Sequence, residues 1–355
     1  MELLKEGKEK GAHNIIYPFS EIPEPGRMLK VSDGIYWLRM PLPFALNHIN
    51  LWVLEDNDGW TVVDTGVASA EIKSNWRKCF NGDMESKKVE KVIVTHLHPD
   101  HVGLAGWISR KFSAPLYMSR SEYLMCRVLV ADTGREAPKE GRDLYKGAGF
   151  NEDQLDAYAE RFGGFGRAVS KLPDNYRRIR DKEKIIIGNY EWEIVVGSGH
   201  CPEHACLYNK DLNILISGDQ VLPKISSNVS VFPTEPLSNP LEEWIESCRY
   251  IKTRVPNNVL VLPAHNEPFR GLHERLDSLI EGHERNLTRL LDLCEEPKRA
   301  IDVFSVLFKR KISDDVLLMA TGESIAHLNC LLMRKLIVAE KDLDGVILYK
   351  NCLLY

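Results

Sequence analysis

Short apolar runs rich in β-branched and aromatic residues alternate with stretches of helical periodicity, and this alternation predicts an α/β fold. The run Val89–Thr95 is almost continuously apolar, which is typical of a strand buried on both faces. The predicted strands are Ile35–Leu42, His48–Leu54, Trp60–Val63, Val89–Thr95, Pro115–Met118, Tyr190–Val196, Ala205–Asn209, Ile214–Ser217 and Val259–Leu262. The predicted helices are Ala68–Phe80, Leu104–Phe112, Leu241–Thr253, Gly271–Cys294, Ile301–Phe308 and Glu323–Leu336.

Three segments depart from this pattern and predict how the chain is divided. Residues 1–31 are polar and contain prolines, which predicts an N-terminal arm before a main domain at 32–275. Within the main domain, residues from about 120 to 184 are helical, charged and poor in β-branched runs, as expected of an insertion. Residues 276–355 run in the order helix, helix, hairpin, which predicts a small winged-helix-like domain.

Composition and charge disfavour several classes of function and location. The 355 residues carry a net charge of −5, which disfavours nucleic-acid binding. No apolar run approaches the ~18 residues of a membrane span, and the charged start MELLKEGKEKGAHN lacks the apolar stretch of a secretory signal. The eight cysteines are scattered without a CxxC pair, as in reduced cytosolic proteins. We therefore expect a cytoplasmic protein without membrane contact.

Candidate metal ligands follow four of the predicted strands. The strand Val89–Thr95 runs directly into His96-Leu97-His98-Pro99-Asp100-His101. Three later strands end in one candidate each, namely His200, Asp219 and His265. Imidazole and carboxylate groups are the usual ligands of zinc and its neighbours. Ligands delivered by several strand ends predict a two-metal site, in which each ion takes three protein ligands and one carboxylate bridges.

These motifs resemble the metallo-β-lactamase superfamily over roughly residues 32–270. The matching residues are the HxHxDH motif at His96, His98, Asp100 and His101, the later His200, Asp219 and His265, and the upstream Asp64-Thr65-Gly66. The resemblance implies an αββα sandwich, here with a helical insertion and a winged-helix-like tail. It also implies a metal on His96, His98 and His200, a second metal on Asp100, His101 and His265, and Asp219 as the bridge. Asp64 is implied as a carboxylate that supports the ligands, with a helix cap before Ala68–Phe80 as the alternative.

The implied chemistry is hydrolysis. Two divalent ions, expected to be Zn²⁺ with iron or manganese as alternatives, could hold a bridging hydroxide as the nucleophile. Asp100 is the candidate catalytic residue that orients water and moves protons. The favoured substrate is small and ester-like, an anionic thioester or lactone. A metal-dependent endoribonuclease is the alternative, and an iron-dependent persulfide dioxygenase is a more remote one.

Charge and loop position suggest what holds the substrate. Residues 161–184 contain eight basic and three acidic residues, which could attract an anionic substrate or form a solvated face. The loop after Asp219 should border the site, so Lys224 and Asn228 are candidate substrate-binding residues. Residues 276–355 contain 11 basic and 13 acidic residues, too acidic a balance for a nucleic-acid reader. We expect this unit to pack against the main domain or against a second copy in a homodimer.

Overall fold

The computed structural model describes residues 15–43 and 46–352. Its strands are β1 Met28–Ser32, β2 Ile35–Pro41, β3 His48–Asp56, β4 Gly59–Val63, β5 Val89–Ile93, β6 Leu116–Met118, β7 Arg177–Arg178, β8 Lys184–Ile187, β9 Tyr190–Gly197, β10 His204–Asn209, β11 Ile214–Gly218, β12 Leu260–Pro263, β13 Ile337–Lys341 and β14 Ile347–Asn351. Its α-helices are α1 Ala70–Asn81, α2 Pro99–Val102, α3 Ala105–Phe112, α4 Arg120–Ala131, α5 Lys139–Ala148, α6 Glu152–Arg161, α7 Pro240–Arg254, α8 Leu272–Leu293, α9 Phe304–Leu307 and α10 Leu317–Met333. Two 3₁₀ helices cover Phe165–Ala168 and Ala300–Val303.

Two sheets form the centre of the molecule. The first contains β1 to β7 in chain order, and strands β4 to β7 pair in parallel. The second has the order β12-β11-β10-β9-β8, with β11 and β12 parallel and the other pairs antiparallel. Since β9 is antiparallel to β10, and β10 to β11, the strands β9, β11 and β12 all end at the same edge.

Alternation along the strands divides the apolar side chains among three cores. Trp52 of β3 and Trp192 of β9 lie in a core formed by both sheets. Leu51 and Val53, which alternate with Trp52, pack instead with α1 and α3 on the outer face of the first sheet. On the outer face of the second sheet, the core contains residues of α7, α8 and α10, Trp244 among them. The layers are therefore helix, sheet, sheet, helix, as the fold class predicted.

The C-terminal unit packs on this helical layer of the same chain. Ile325 and Leu328 of α10 share a core with α7 and α8. Arg334 donates to Glu242 of α7, in the main domain, at 2.8 Å. It also donates to Glu284 of α8, within residues 276–355, at 2.7 and 2.9 Å. Packing against the main domain, one of the two predicted modes, is thus present, whereas the homodimer stays a prediction.

The predicted insertion is helical from α4 to the 3₁₀ turn at Phe165–Ala168. Its α5 and α6 bury Tyr145, Leu155 and Tyr158 together with Leu317 at the start of α10. Arg161 also donates to the backbone oxygen of Asp314 at 2.8 Å. The insertion therefore lies against the C-terminal unit.

The structure differs from the sequence-based elements at several places, one of which is strand β7 within the predicted helical insertion. Residues 1–14 of the predicted arm lie outside the described residues, but Met28–Ser32 forms edge strand β1, and Lys184–Ile187 forms edge strand β8. The helix predicted at Ile301–Phe308 is a 3₁₀ turn followed by the one-turn α9. Helix α10 begins six positions before the predicted Glu323, at Leu317. Across residues 15–43 and 46–352, no helix has the length and apolar character needed to cross a membrane.

Candidate metal centre

The predicted ligands converge at the edge of the sheets where the parallel strands end. Residues His96 to His101 follow β5 and enter the short helix α2. His200 follows β9, Asp219 follows β11 and His265 follows β12. The side chains fall into two groups, in each of which the ligand atoms lie within 4.8 Å of one another. One group holds His96, His98, His200 and Asp219, and the other holds Asp100, His101 and His265.

Three histidine nitrogens of the first group point at one another. The Nε2 atom of His96 lies 2.9 Å from Nδ1 of His98 and 3.2 Å from Nε2 of His200. Nitrogens bound tetrahedrally at about 2.0–2.1 Å from a zinc ion would be about 3.3 Å apart. The spacing of the three rings is therefore close to that of a set of metal ligands.

Asp219 lies between the two groups. Its Oδ2 atom is 3.5 Å from Nε2 of His200, in the first group. Its Oδ1 atom is 3.5 Å from Nε2 of His101 and 3.4 Å from Nε2 of His265, in the second. Asp100 adds its Oδ2 atom 3.5 Å from the same His265 nitrogen. Each oxygen of Asp219 thus faces a different group, an arrangement that suits a bridging carboxylate.

Two buried atoms in this centre lack a hydrogen-bond partner among the described residues. They are Nε2 of His101 and Oδ1 of Asp219, which face each other across 3.5 Å. Buried polar atoms without partners are costly, so such atoms call for a ligand. A divalent cation would satisfy both, and the imidazole and carboxylate donors suit it chemically. The residues present therefore fit divalent metal ions.

The ring nitrogens that face away from the centre are held by fixed acceptors. Nδ1 of His200 donates to the backbone oxygen of Asn228 at 2.7 Å, and Nδ1 of His265 donates to that of His48 at 2.8 Å. Nδ1 of His101 lies 2.8 Å from the Asp64 carboxylate. Because these acceptors hold a proton on Nδ1, Nε2 is in each case the nitrogen that faces the centre and would bind a metal.

Asp64 is anchored in turn by Thr95. Its carboxylate accepts from the Thr95 backbone N–H at 2.8 Å and from the Thr95 hydroxyl. Helix α1 is capped by Ser69, whose side chain accepts from the backbone of Ile72. The alternative function of Asp64 as a helix cap is therefore wrong, and its contacts are those of a carboxylate that orients His101.

Burial and charge divide the histidines into two classes. Burial, assisted by His200, lowers the pKa of His98 to about 3, and burial likewise holds the pKa of His96 well below its usual value. Burial alone would also lower the pKa of His265, but the Asp219 carboxylate raises it to about 9. His96 and His98 therefore offer neutral imidazoles, whereas the carboxylates of the second group favour positive charge on His265.

Two supporting residues escaped the sequence analysis. His204, at the start of β10, accepts the backbone N–H of Asp219 at 3.0 Å and stacks on His96 with ring centroids 4.8 Å apart. Glu122 of α4 is completely buried and accepts the backbone N–H groups of Leu97 and Glu203, each at 2.9 Å. Glu122 thus ties the HxHxDH loop to the loop that carries His200. A histidine in an apolar strand and a glutamate in a helix gave no local signal of this function.

The two candidate substrate residues already have protein partners. Lys224 forms an ion pair with Glu267 at 2.8 Å and lies near the Tyr17 ring. Asn228 donates its side-chain amide to Glu323 at 2.8 Å, while its backbone oxygen holds His200. Lys224 is exposed, and its part in substrate binding stays a prediction. The contacts of Asn228 are those of a residue that supports the metal ligands.

Comparison with known proteins places these observations in a family. Residues 46–292 match the family model described as metallo-beta-lactamase superfamily, and residues 287–352 match that of the metallo-beta-lactamase-like C-terminal domain. The crystal structure of a beta-lactamase domain protein from Burkholderia ambifaria is 36% identical, with a TM-score of 0.88 over 97% of this chain and 100% of that chain. The probable metallo-hydrolase YqjP of Bacillus subtilis is 23% identical over 313 residues, which are 84% of this chain and 92% of the relative. The acyl-coenzyme A thioesterase MBLAC2 of Homo sapiens is 23% identical over 262 residues, 71% of this chain and 85% of the relative.

Proposed function

The chain belongs to the metallo-β-lactamase superfamily, and we propose that it is a dinuclear hydrolase that cleaves a small anionic thioester. The observation that carries the proposal is the position of Asp219, whose two oxygens face two separate ligand groups. A single-metal site would need only one of these groups. Two divalent ions bound there would supply Lewis acidity toward the thioester carbonyl and lower the pKa of a water molecule to about 7.

We assign the ligands as the sequence predicted. The first ion would be held by His96, His98 and His200, the second by Asp100, His101 and His265, and both by Asp219. Zn²⁺ suits this set of imidazoles and carboxylates. Asp64 contacts His101, His204 contacts the Asp219 backbone, and Glu122 holds the Leu97 backbone between two of the ligands.

Asp100 is the residue that we assign to proton handling. Its side chain is 20% exposed, compared with 10% for Asp219, so it is the more accessible of the two carboxylates from the solvent side. Burial alone would raise the pKa of Asp100, but His101 and His265 hold it below the usual value. The carboxylate would therefore be ionised at neutral pH and could accept a hydrogen bond from the attacking water.

The substrate class has two supports. The relative MBLAC2 is described as an acyl-coenzyme A thioesterase, and residues 161–184 supply an excess of five positive charges that suits an anionic carrier group. Of these basic residues, Arg177 donates to the Tyr117 hydroxyl at 3.0 Å, while Arg178 lies 3.9 Å from Glu203. These contacts place two arginines beside the segment from β6 to α4, close to the loop that carries His200.

The test combines metal analysis with a substrate panel. Protein purified without added metal should contain close to two ions per chain and should hydrolyse acyl-coenzyme A thioesters faster than lactones or single-stranded RNA. Asp219→Ala should lose metal and nearly all hydrolysis, whereas Asp211→Ala, an exposed turn residue, should behave as wild type. One ion per chain in a fully loaded sample would contradict the dinuclear site. Cleavage of RNA without thioester turnover would favour the endoribonuclease instead.

A further inference from the structure

The loop from Asp219 to Ser230 serves the metal centre at two points. Asp219 begins the loop, and the backbone oxygen of Asn228 accepts the Nδ1 proton of His200 at 2.7 Å. Between these points the loop belongs to neither sheet. Its backbone is held instead by α8, where Arg275 donates to the oxygens of Leu222 and Ile225 at 2.6 and 2.8 Å. The position of His200 therefore depends on whatever fixes Asn228.

The side chain of Asn228 is held by the C-terminal unit, residues 276–355. The Asn228 amide donates to the Glu323 carboxyl of α10 at 2.8 Å. Ser230 donates its hydroxyl to Oδ1 of Asn228 at 2.5 Å and lies 3.3 Å from the backbone oxygen of Met319, also in α10. One residue further, Val231 pairs with the Gly322 backbone at 3.0 Å. The end of the loop is thus attached to one turn of α10.

The same turn of α10 reaches the loop again through two buried histidines. The backbone oxygen of Glu323 can only accept, so His327 donates to it from Nδ1 at 2.8 Å. Nε2 of His327 is then an acceptor for Nδ1 of His283, 3.2 Å away. Nε2 of His283 in turn accepts from the hydroxyl of Ser226, at 3.0 Å. The direction of each hydrogen bond follows from the one before it.

This series of hydrogen bonds resembles a serine nucleophile paired with its base, but the electrostatics of His283 favour a structural function. Burial, with a contribution from His327, lowers the pKa of His283 to about 3. A general base should have a pKa near the working pH to accept a proton from serine. His283 therefore acts as a neutral hydrogen-bond acceptor that holds Ser226 in place.

We propose that Glu323 is a positioning residue for the metal ligand His200, so that the C-terminal unit helps to form the metal centre. Its carboxyl fixes the Asn228 side chain, its backbone fixes Ser226 through His327 and His283, and Asn228 then presents its backbone oxygen to His200. The proposal rests on the assignment of His200 as a ligand. It does not depend on which bond the enzyme cleaves.

The test uses two substitutions that differ only in hydrogen bonding. Glu323→Gln keeps an oxygen that can accept from Asn228, whereas Glu323→Leu leaves that amide without a partner. Groups that support metal ligands typically contribute 10–100-fold to metal affinity. We expect Glu323→Leu to lower the affinity for one of the two ions about tenfold and to change the absorption spectrum of the Co²⁺-substituted protein. Glu323→Gln should have the metal affinity and the spectrum of wild type. Ser324→Ala, at the adjacent buried position of the same helix, is the matched control.

The readouts are chelator competition and the Co²⁺ spectrum of the full chain, neither of which needs a substrate. If Glu323→Leu does not fold, Asn228→Ala removes the same contact from the loop side and should give the same change. Metal affinity and spectra equal to wild type in the folded variant, or equal changes in Ser324→Ala, would overturn the proposal. A wild-type protein that binds metal but leaves thioesters intact would refute the thioesterase and leave this inference standing.

Discussion

Replacing Asp64 by Asn tests whether a single carboxylate fixes the second ligand group. The Asp64 backbone has a φ of 61°, in the left-handed region, where Asn is also tolerated. The substitution therefore changes neither side-chain size nor backbone preference, so any effect comes from the loss of the carboxylate. That carboxylate uses Oδ1 for the Thr95 backbone N–H and Oδ2 for Nδ1 of His101, both at 2.8 Å.

Either orientation of the new amide disturbs the second ligand group: one breaks the contact with Thr95, and the other changes the tautomer of His101. If the NH₂ group faces Thr95, two donors oppose each other. If it faces His101, Nδ1 must accept, and the ring proton moves to Nε2, the atom that faces Asp219. A hydrogen bond to a charged group contributes about 1.5–3 kcal/mol. Since about 1.4 kcal/mol is a factor of ten, metal affinity at this group should fall about 10–150-fold.

Chelator competition with Zn²⁺ measures the two affinities in the same sample. We expect one ion to be lost at lower chelator concentration in Asp64→Asn while the other keeps its wild-type affinity. Asp58→Asn, an exposed turn residue between β3 and β4, is the control for an added amide. Two unchanged affinities in Asp64→Asn would refute the argument that the tautomer of His101 is set by Asp64.

Three further outcomes follow from the same contacts. Glu122→Leu removes the acceptor of the buried Leu97 N–H and of the partly buried Glu203 N–H. Because one unsatisfied buried donor costs about 1–3 kcal/mol, urea denaturation should show a loss of about 1–3 kcal/mol or more, and a loss under 1 kcal/mol would contradict the inference that Glu122 ties the two loops together. Burial raises the pKa of Glu323 to about 7 from the ordinary 4.5, so the folded state binds the Glu323 proton more tightly than the unfolded state does. The folded state should therefore lose about 3 kcal/mol of stability as the pH rises from 4.5 through about 7. In thermal melts, the stability of Glu323→Gln relative to wild type should therefore increase between pH 5 and 8. A difference in stability that stays constant over this pH range would be evidence against the raised pKa of Glu323. Residues 276–355 have two more acidic than basic residues, so single-stranded RNA should bind weakly with a shallow salt dependence, and micromolar binding that collapses with salt would support the endoribonuclease.

The seven ligand candidates could be predicted because their signal is local. Each follows a short apolar run, and the end of such a run lies beside it in the sequence. His200 after Tyr190–Val196 and His265 after Val259–Leu262 illustrate this. Strands that end at one edge of two packed sheets then bring distant ligands together. The family resemblance supplied the grouping of the ligands, and the positions of the two groups agree with it.

The residues that hold the ligands could not be predicted, because their signal is not local. Glu122 meets Leu97 and Glu203 across 25 and 81 positions, and Asn228 meets Glu323 across 95. A buried glutamate in a helix has the same sequence pattern as an exposed one at the helix surface. Which of them carries a buried hydrogen bond depends on tertiary packing.

The two segments that the sequence marked as additions to the sandwich each contribute one such carboxyl group. Glu122 comes from α4, at the start of the predicted insertion, and Glu323 comes from α10 of the C-terminal unit. Both accept from backbone or amide groups in the loops that carry or adjoin the candidate ligands. α5 and α6 pack against the start of α10, so the two segments also restrain each other. The strands of the sandwich therefore determine where the ligands are placed, while the added segments determine how firmly their loops are held.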